Sequence, residues 1–398
     1  MRPFLPARVL AAWAAALLFV CLLIGLTGFT SEDPDSALHA ALSARLAELP
    51  VAQWIAPEWW GEWDSEGLYR EHPAGIFLVP VLLAQAGVPA VQASYMVGVA
   101  AGLAALLLLG TLVTRVAGPA AGWAVLSLLQ VMPVAFIFRI RANHEYPMLV
   151  CLLLALVAID GVQRSWKWAP VLAVALTTAL LVKGAFIVLV LAGAGLWILV
   201  DPARRRASLA RLALALALSA GVVAVVAWAY DLAYLHATGQ RFWWPYWQRQ
   251  MGPLEVATPF DNAAMLASHM GFYLVRLLWH PAPWSLAIAG AVWVWRGRLR
   301  DVWRGASPGA RRGVVFALGF AAASVVILSP ASRFAERYAF SASFAVGTCG
   351  AVVALALWPR LGAWLERQHQ ARPALPVWIW TALMLARLVV GPLLPRVQ

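Results

Sequence analysis

The sequence predicts an all-α, polytopic membrane protein, and three observations point to this fold class. Hydrophobic residues make up 63% of the 398 residues, and charged residues make up 12%. Apolar runs of about 20 residues recur along the chain, and each is long enough to cross the ~30 Å hydrocarbon core of a bilayer as a helix. The polar residues are concentrated in a few loops between these runs. This composition excludes an ordinary soluble domain.

The first apolar run, 9–29, follows Arg2 and Arg8 and has the basic start and apolar core of a signal peptide. A signal peptide has a shorter apolar core, which ends at a small-residue cleavage site. The run is longer than that, and no clear cleavage site follows it. The N-terminus is therefore predicted to be an uncleaved first span.

Eleven spans are predicted in all, and one further apolar segment is ambiguous. Segment 74–90 is short and contains Pro80. If it does not cross, 18 of the 30 basic residues fall on the cytoplasmic side, where Lys and Arg are enriched in membrane proteins. Segment 74–90 is therefore predicted to be a re-entrant or surface half-helix. The predicted spans are 9–29, 92–114, 119–137, 147–161, 169–183, 184–200, 208–230, 281–295, 313–329, 338–358 and 375–395.

This topology places the N-terminus in the cytoplasm and four polar segments on the outer side of a bacterial plasma (inner) membrane. Because the cytoplasmic loops carry most of the Arg residues, they account for the net charge of +12 without a nucleic-acid partner. Functional chemistry is therefore expected to face the periplasm or the exterior. The outer segments are 30–73, 138–146, 231–280 and 330–337.

The chain shows no internal repeat and no soluble domain, so a single membrane domain, 1–398, is predicted. Within this domain, residues 9–200 are expected to form the catalytic module, which includes the outer loop 30–73. Residues 201–398 are expected to form a more variable helical module with the outer loop 231–280.

Half of the chain's 18 carboxylates lie in the first outer loop, which makes this loop the strongest candidate for a catalytic site. Leucines at helical spacing predict an amphipathic helix along it, with Asp33 suited to the N-cap and Pro34 to the first turn. Asp35 lies where this helix begins and could project into a cavity between helices. His39 follows one turn later on the same face. Asp35 is therefore the candidate base, and Asp33 is the candidate cap.

The second polar cluster is a loop between two predicted spans that contains Arg141, His144 and Glu145. An Arg guanidinium suits a phosphate because its planar fork donates two hydrogen bonds at once. Arg residues at helix ends also extend to the membrane interface without binding any ligand. The whole cluster nevertheless favours a shelf that binds a phosphate or a sugar.

Further candidates for substrate contacts lie on the outer side. His72 ends the first loop, and Lys183 lies in an apolar run, where a charged side chain is costly and is functional by default. Arg333 and Arg337 are four residues apart and can present one basic helical face, which Tyr338 follows. Trp and Tyr clusters in the first and third outer loops fit an interface belt, or a surface for sugar rings and prenyl chains.

The order of these features resembles the polyprenyl-phosphate-sugar-dependent glycosyltransferases of the C-type fold (GT-C), notably the protein O-mannosyltransferases and the lipid A aminoarabinose transferases. In that family an acidic pair opens the first outer loop, and a Lys-Pro-Pro or His-Pro element leads into a half-helix. A basic-acidic loop and a Lys-Gly-Pro motif come later. The matching segments are Asp35-Ser36, Glu71-His72-Pro73, Arg139 to Glu145, and Lys183-Gly184-Ala185.

The resemblance covers roughly residues 9–200 and departs from the family pattern at three positions. Ser36 stands where the second acid of the pair is usual, unless Glu32-Asp33 is the equivalent pair. His72 replaces the usual Lys, and Ala185 replaces the usual Pro.

The resemblance implies that a sugar leaves a polyprenyl-phosphate donor for a lipid, glycan or protein acceptor, with inversion at the anomeric carbon. Asp35 would deprotonate the acceptor hydroxyl, and preorganised cations would meet the leaving phosphate. No cofactor is firmly implied; a divalent metal at Asp35, His144 and Glu145 is left open. Membrane lipids are the remaining expected partner. The expected substrate-binding residues are His72, Arg141, His144, Glu145, Lys183, Arg333, Arg337 and Tyr338.

The sequence alone also allows two classes of protein other than an enzyme. A transporter or lipid flippase would carry out no transferase chemistry, but such proteins tend to have related halves and charges near the bilayer centre. A non-catalytic assembly subunit would use the acidic loop as a docking surface. The gathering of ionisable residues at one face favours the enzyme.

Overall fold

The computed structural model describes residues 5–31, 33–59, 67–201, 206–251, 259–331 and 334–390. In these residues the regular secondary structure is helical, apart from one isolated antiparallel bridge between Glu58 and Leu68. The predicted all-α class is confirmed. The α-helices are α1 Ala7–Thr27, α2 Pro34–Ala47, α3 Gly75–Gln85, α4 Ala90–Ala117, α5 Pro119–Leu128, α6 Pro133–Ile137, α7 Glu145–Val162, α8 Ala169–Lys183, α9 Ile187–Leu199, α10 Arg206–Thr238, α11 Trp243–Met251, α12 Pro259–Trp279, α13 Trp284–Trp295, α14 Leu299–Gly305, α15 Pro308–Leu328, α16 Phe340–Leu357, α17 Pro359–Ala371 and α18 Leu375–Val390.

Several of these helices are suited to cross a membrane. Among the described residues, seven helical runs are long and apolar enough to do so, and eight if α17 and α18, which meet at 92°, count as one broken span. Three shorter apolar helical segments accompany them. The protein is thus a polytopic membrane protein, as predicted, while the count of eleven spans stays a prediction.

One of the seven runs, formed by α8 and α9, folds back on itself. The ring of Trp168, just before α8, packs against Gly161 in the last turn of α7. Trp197, near the end of α9, donates a hydrogen bond from Nε1 to Asp160 in that same turn, at 3.0 Å. Lys183, the last residue of α8, instead contacts the first residue of α7. Helices α8 and α9 are therefore antiparallel, and the chain reverses after Lys183.

The first predicted loop contains the two short helices that its sequence indicates. Helix α2 begins at Pro34 with Asp33 as its N-cap. Helix α3 has 11 residues and includes Pro80, so its length of ~16 Å is too short to cross a bilayer alone. Leu42 and Leu46 of α2 pack with Phe77 of α3 in one apolar cluster. The half-helix interpretation of 74–90 agrees with this length.

Helix α7 is the central helix of the bundle, and its two ends define two polar regions. Of its 18 residues, 15 are buried, as is typical of a helix that is apolar on all sides. We call the region around Glu145 and Lys183 the site end, and the region around Asp160 and Trp197 the far end. The main apolar core lies between the two ends.

Candidate active site

The segment between α6 and α7 reaches the core because α4 lets it approach closely. Gly98 of α4 lies against the carbonyl oxygen of Arg141, so any side chain at position 98 would collide with the backbone there. The next residue, Ala142, holds α2 in place through both of its backbone groups. Its carbonyl accepts a hydrogen bond from His39 Nδ1 at 2.8 Å, and its N–H donates to Ser36 Oγ at 3.2 Å. Helix α2 is therefore docked onto this segment.

The start of α2 is fixed by a cap and an ion pair. Asp33 accepts hydrogen bonds from the Ser36 N–H at 3.0 Å and the Ser36 hydroxyl at 2.6 Å. Its other carboxylate oxygen lies 3.2 Å from Arg141 Nη1. Asp33 is thus the N-cap, as predicted. Ser36, at the position where the resemblance leads one to expect a second acid, is fully buried in this network, where an unpaired carboxylate would be costly.

Asp35 lies at the edge of the same helix and forms an ion pair with Arg337. Its side chain is 41% exposed, and that of Arg337 is 34% exposed. This carboxylate is therefore accessible to an incoming molecule, unlike that of Asp33. Two residues relevant to this region, Glu32 and Arg333, lie outside the described residues.

The most deeply buried ion pair of the site end joins α7 to the end of α8. Lys183 Nζ lies 2.8 Å from Glu145 Oε1, and the two side chains are only 4% and 2% exposed. The ammonium also faces the rings of Phe186 at 4.6 Å and Tyr338 at 5.1 Å, both of which attract a cation. The second carboxylate oxygen of Glu145, Oε2, is buried without a hydrogen-bond partner among the described residues.

The chain reversal that places Lys183 depends on Gly184 and on α11. Gly184 has a positive φ of 52°, a conformation that glycine adopts without strain, and the Tyr246 ring leaves no room for a side chain. The Tyr246 hydroxyl accepts a hydrogen bond from the Ala185 N–H at 2.9 Å and donates one to the Lys183 carbonyl at 2.9 Å. A proline at position 185 would lack this N–H, which accounts for Ala185 in place of the usual Pro.

Three buried histidines form a row beside this ion pair. The ring centroids of His39 and His144 are 4.6 Å apart, and those of His144 and His72 are 4.3 Å apart. Since His39 Nδ1 donates to the Ala142 carbonyl, its Nε2 accepts from the Tyr69 hydroxyl at 3.1 Å. Burial lowers the pKa of His39 and, together with the neighbouring cationic and imidazole groups, lowers the pKa of His144 well below its usual value. These two imidazoles are therefore neutral near pH 7.

Two further ion pairs frame the site end from the C-terminal half. Arg249 of α11 lies 3.6 Å from Glu71, whose carbonyl also accepts a hydrogen bond from Gln250 at 2.8 Å. Arg276 of α12 lies 3.3 Å from Glu336, the neighbour of Arg337. The candidate site therefore draws on both predicted modules, 9–200 and 201–398, and the catalytic role of the first stays a prediction.

A polar pocket at the site end lies next to a long apolar cavity. The pocket is bordered by Glu145, Lys183, Arg337 and Tyr338. It shares Leu152, Phe320 and Ser341 with the cavity, whose other walls come mainly from α4, α7, α15 and α16. The cavity extends to Trp197 at the far end. The two spaces together run most of the length of the bundle.

The structure brings together, in pairs, those predicted site residues that lie in the described ranges. Lys183 pairs with Glu145, Arg337 with Asp35, and Arg141 with Asp33, while His72 contacts His144 and Tyr338 faces Lys183. No group of three or more His, Cys, Asp or Glu residues in the described ranges could hold a metal ion.

Sequence reasoning missed the roles of Ser36, Tyr69 and Tyr246, because hydrogen bonds between distant segments leave no local pattern. It did note the aromatic cluster that contains Tyr246.

Comparison with known proteins identifies the fold. No family model and no curated protein sequence matches the chain. Two solved structures of ArnT from Cupriavidus metallidurans are similar, one in the apo state (TM-score 0.61) and one bound to undecaprenyl phosphate (TM-score 0.60). Each is 15% identical, and each match covers 96% of this chain and 78% of the ArnT chain. The protein therefore has an ArnT-like GT-C fold, as the order of its sequence motifs predicted.

Proposed function

We propose that this protein is a membrane glycosyltransferase that moves a sugar from a polyprenyl-phosphate donor to an acceptor hydroxyl on the periplasmic side. The observation that carries the proposal is the polar pocket at the site end and the apolar cavity beside it, with which the pocket shares three wall residues. This arrangement suits a molecule with a charged phosphate at one end and a long apolar chain at the other. The GT-C fold supports it, and one similar ArnT structure contains undecaprenyl phosphate.

The chemistry follows from the residues at the mouth of the pocket. The acceptor oxygen attacks the anomeric carbon, and its proton passes to the Asp35 carboxylate, which is accessible. The bond between the anomeric carbon and the phosphate oxygen breaks, and the polyprenyl phosphate leaves with the electron pair. Lys183 and Arg337 border the pocket and would stabilise the negative charge that grows on this phosphate. Inversion results because attack and departure occur on opposite faces.

The remaining predicted residues support this geometry. Arg141 holds Asp33 and so fixes the start of the helix that carries Asp35. Glu145 orients Lys183. His72 is placed by His144 and would donate a further hydrogen bond to the phosphate, and Tyr338 forms part of the pocket wall. Arg333 is proposed as an additional cation of the same site.

The test is transfer by the purified protein from labelled polyprenyl-phosphate sugars, with a membrane extract as the source of acceptor. We expect the wild-type protein to release polyprenyl phosphate and to label a new product. Asp35→Asn should abolish transfer, because an amide does not accept the acceptor proton, and should leave donor binding intact. Glu48→Gln, in the same helical loop, is the matched control. Transfer by Asp35→Asn at the wild-type rate would contradict the proposed base.

The same assay separates the enzyme from a transporter or flippase. Either of these would move the intact donor across the bilayer without breaking its sugar–phosphate bond. Movement of intact donor without any loss of sugar would therefore replace the proposed function by transport. The concentration of charged side chains at the site end favours transfer chemistry there.

A further inference from the structure

Two short helices, α14 and α17, lie at the far end of the bundle. Helix α14 ends shortly before α15, whose Arg312 pairs with Asp160 at that end. Helix α17 directly follows α16, which begins beside Tyr338 at the site end and has 18 residues, a length of ~27 Å. Both helices are therefore on the opposite side of the protein from the candidate site.

The exposed charge of these two helices and their cap residues is mostly positive. Six arginines are exposed there, against two exposed acids, Asp301 and Glu366. No ion pair joins any of these arginines to an acid in the part of the chain that the structure describes. Their positive charge is therefore available to an anion outside the protein. The arginines are Arg298, Arg300, Arg304, Arg360, Arg367 and Arg372.

The packing of α17 places this helix at the surface of the membrane. Its axis meets that of α18 at 92°, and α18 packs beside α1, a candidate span. One side of α17 joins the core, since Leu365 is 4% exposed and packs with Trp123 of α5 in one apolar cluster. Arg360 and Arg367 are exposed instead, and charged side chains in the hydrocarbon core are costly. Helix α17 is therefore expected to lie along the interface, where the bundle meets the lipid headgroups.

The exposed side of α17 combines guanidinium groups with an aromatic ring. Arg360, Trp364 and Arg367 follow the spacing i, i+4, i+7 and so share one face of the helix. All three are exposed, Trp364 by 45%. Glu366 points to a different side, because successive helical residues are about 100° apart. The face therefore presents two cations on either side of an indole ring, with no acid between them.

Helix α14 and the end of α13 show the same combination. Arg300 and Arg304 are four residues apart on α14, and Trp303 beside them is 41% exposed. At the end of α13, the Arg296 guanidinium lies 4.5 Å from the centroid of the Trp293 ring. Trp side chains prefer the level of the headgroups in a bilayer. The arginines of this surface are therefore held at the depth of lipid phosphates.

We infer that α14 and α17 form a binding surface for the headgroups of anionic phospholipids. A guanidinium donates two hydrogen bonds at once to a phosphate, and basic clusters beside a membrane span attract anionic lipids. A zwitterionic headgroup carries no net charge and gains less from the same arginines. The predicted topology places this end of the bundle on the cytoplasmic side, so the lipids would come from the cytoplasmic leaflet.

The test compares two lipids that differ in headgroup charge alone. The full-length protein, purified in an uncharged detergent, is titrated with dioctanoyl phosphatidylglycerol and with dioctanoyl phosphatidylcholine, and bound lipid is counted by native mass spectrometry. We expect phosphatidylglycerol to bind at least about tenfold more tightly at low salt. Added salt should reduce the difference, because it screens exposed charges.

Variants locate the surface on the protein. The double variant Arg360→Gln with Arg367→Gln removes both cations beside Trp364 and should lower the preference for phosphatidylglycerol by about tenfold, since each cation near an anionic surface contributes. Arg45→Gln with Arg241→Gln is the matched control. It removes the same charge from two exposed side chains near the site end, and its preference should equal that of the wild-type protein.

The outcomes separate this surface from other anion sites. Equal affinity of the wild-type protein for the two lipids would overturn the inference. So would a preference that falls equally in the α17 variant and in the control, because the lipid would then respond to net charge alone. Displacement of phosphatidylglycerol by inorganic phosphate at equal concentration would show a site for free phosphate instead. If the α17 variant does not fold, Arg300→Gln with Arg304→Gln provides the same comparison on α14.

Discussion

At the scale of single residues, two of the three departures from the family pattern, Ser36 and Ala185, have physical explanations. Ser36 occupies a fully buried position, where its hydroxyl donates to Asp33 and accepts from the Ala142 N–H. Ala185 supplies an N–H to Tyr246 that proline lacks. Sequence reasoning could identify Asp33 as a cap and Lys183 as a costly buried charge, since both follow from local pattern. It could not identify their partners, which come from segments more than 30 residues away.

The buried imidazoles predict how stability depends on pH. Burial lowers the pKa of His39 in the folded protein below its usual value near 6.5. The unfolded chain therefore binds more protons than the folded chain as the pH falls through and below this value. The contribution of neutral His39 to the free energy of unfolding is thus fully present above about pH 6.5. It decreases as the pH falls further.

His39→Asn removes this titration while keeping an N–H that can reach the Ala142 carbonyl. We expect its free energy of unfolding to depend less steeply on pH than that of the wild-type protein between about pH 6.5 and about pH 5. Denaturation in detergent across this range provides the measurement. His236→Asn, at an exposed position near the end of α10, should keep the wild-type slope. Equal slopes for His39→Asn and wild type would contradict the prediction.

At the scale of helices, sequence patterns located most elements but not their arrangement. The apolar periodicity of α2, the short length of α3 and the turn after Lys183 are all local features, so they could be predicted. The docking of α11 over Gly184 could not, because it depends on one tyrosine hydroxyl that meets two backbone groups. The apolar cavity is likewise formed by helices from both halves of the chain, mainly α4, α7, α15 and α16.

The position of the cavity predicts that a larger side chain on α16 weakens the binding of polyprenyl phosphate. Ala345 lines the apolar cavity and is only half-buried, so its helix can carry a larger side chain there. Ala345→Phe should occupy space that the donor chain needs and should weaken binding of polyprenyl phosphate by about tenfold, or about 1.4 kcal/mol. Titration with a long-chain polyprenyl phosphate measures the effect.

The control for this change lies on the same helix. Val353→Phe adds a ring at a half-buried position that does not line the cavity, and its affinity should match that of the wild-type protein. A shorter-chain phosphate that does not reach Ala345 should also bind both variants alike. Equal loss of affinity in Ala345→Phe and Val353→Phe would show that the cavity is not where the chain lies.

At the scale of the whole molecule, the two ends of the bundle are held by different sets of charges. At the far end Arg312 of α15 lies 3.2 Å from Asp160 and 3.7 Å from Asp201. Its guanidinium also stacks over the Trp197 ring, 3.8 Å from the ring centroid. This cluster connects α7, α9 and α15 and is remote from the candidate site, so its role is expected to be structural. The distribution of Lys and Arg along the sequence predicts that Arg312 lies on the cytoplasmic side. It does not predict which carboxylates this side chain pairs with.

Removing the central cation of this cluster should destabilise the protein without changing its binding site. Arg312→Gln leaves Asp160 buried with weaker compensation, and breaking a buried pair in this way costs about 3 kcal/mol. Thermal unfolding should therefore occur at a lower temperature, while the affinity for polyprenyl phosphate is retained. Arg311→Gln, its neighbour in sequence, should have a much smaller effect. Equal midpoints for the two variants would contradict the assigned role of the cluster.

The reversal of the chain after Lys183 also sets the depth at which the proposed chemistry would take place. Helix α8 has 15 residues and is ~22 Å long, whereas the hydrocarbon core is ~30 Å thick. With Trp168, the residue directly before α8, at one boundary of the bilayer, the backbone of Lys183 lies ~8 Å short of the opposite boundary. The donor phosphate would then have to lie deeper in the bilayer than the headgroups of the surrounding lipids. An acceptor must reach that level too, which favours acceptors that are themselves anchored in the membrane over small water-soluble alcohols.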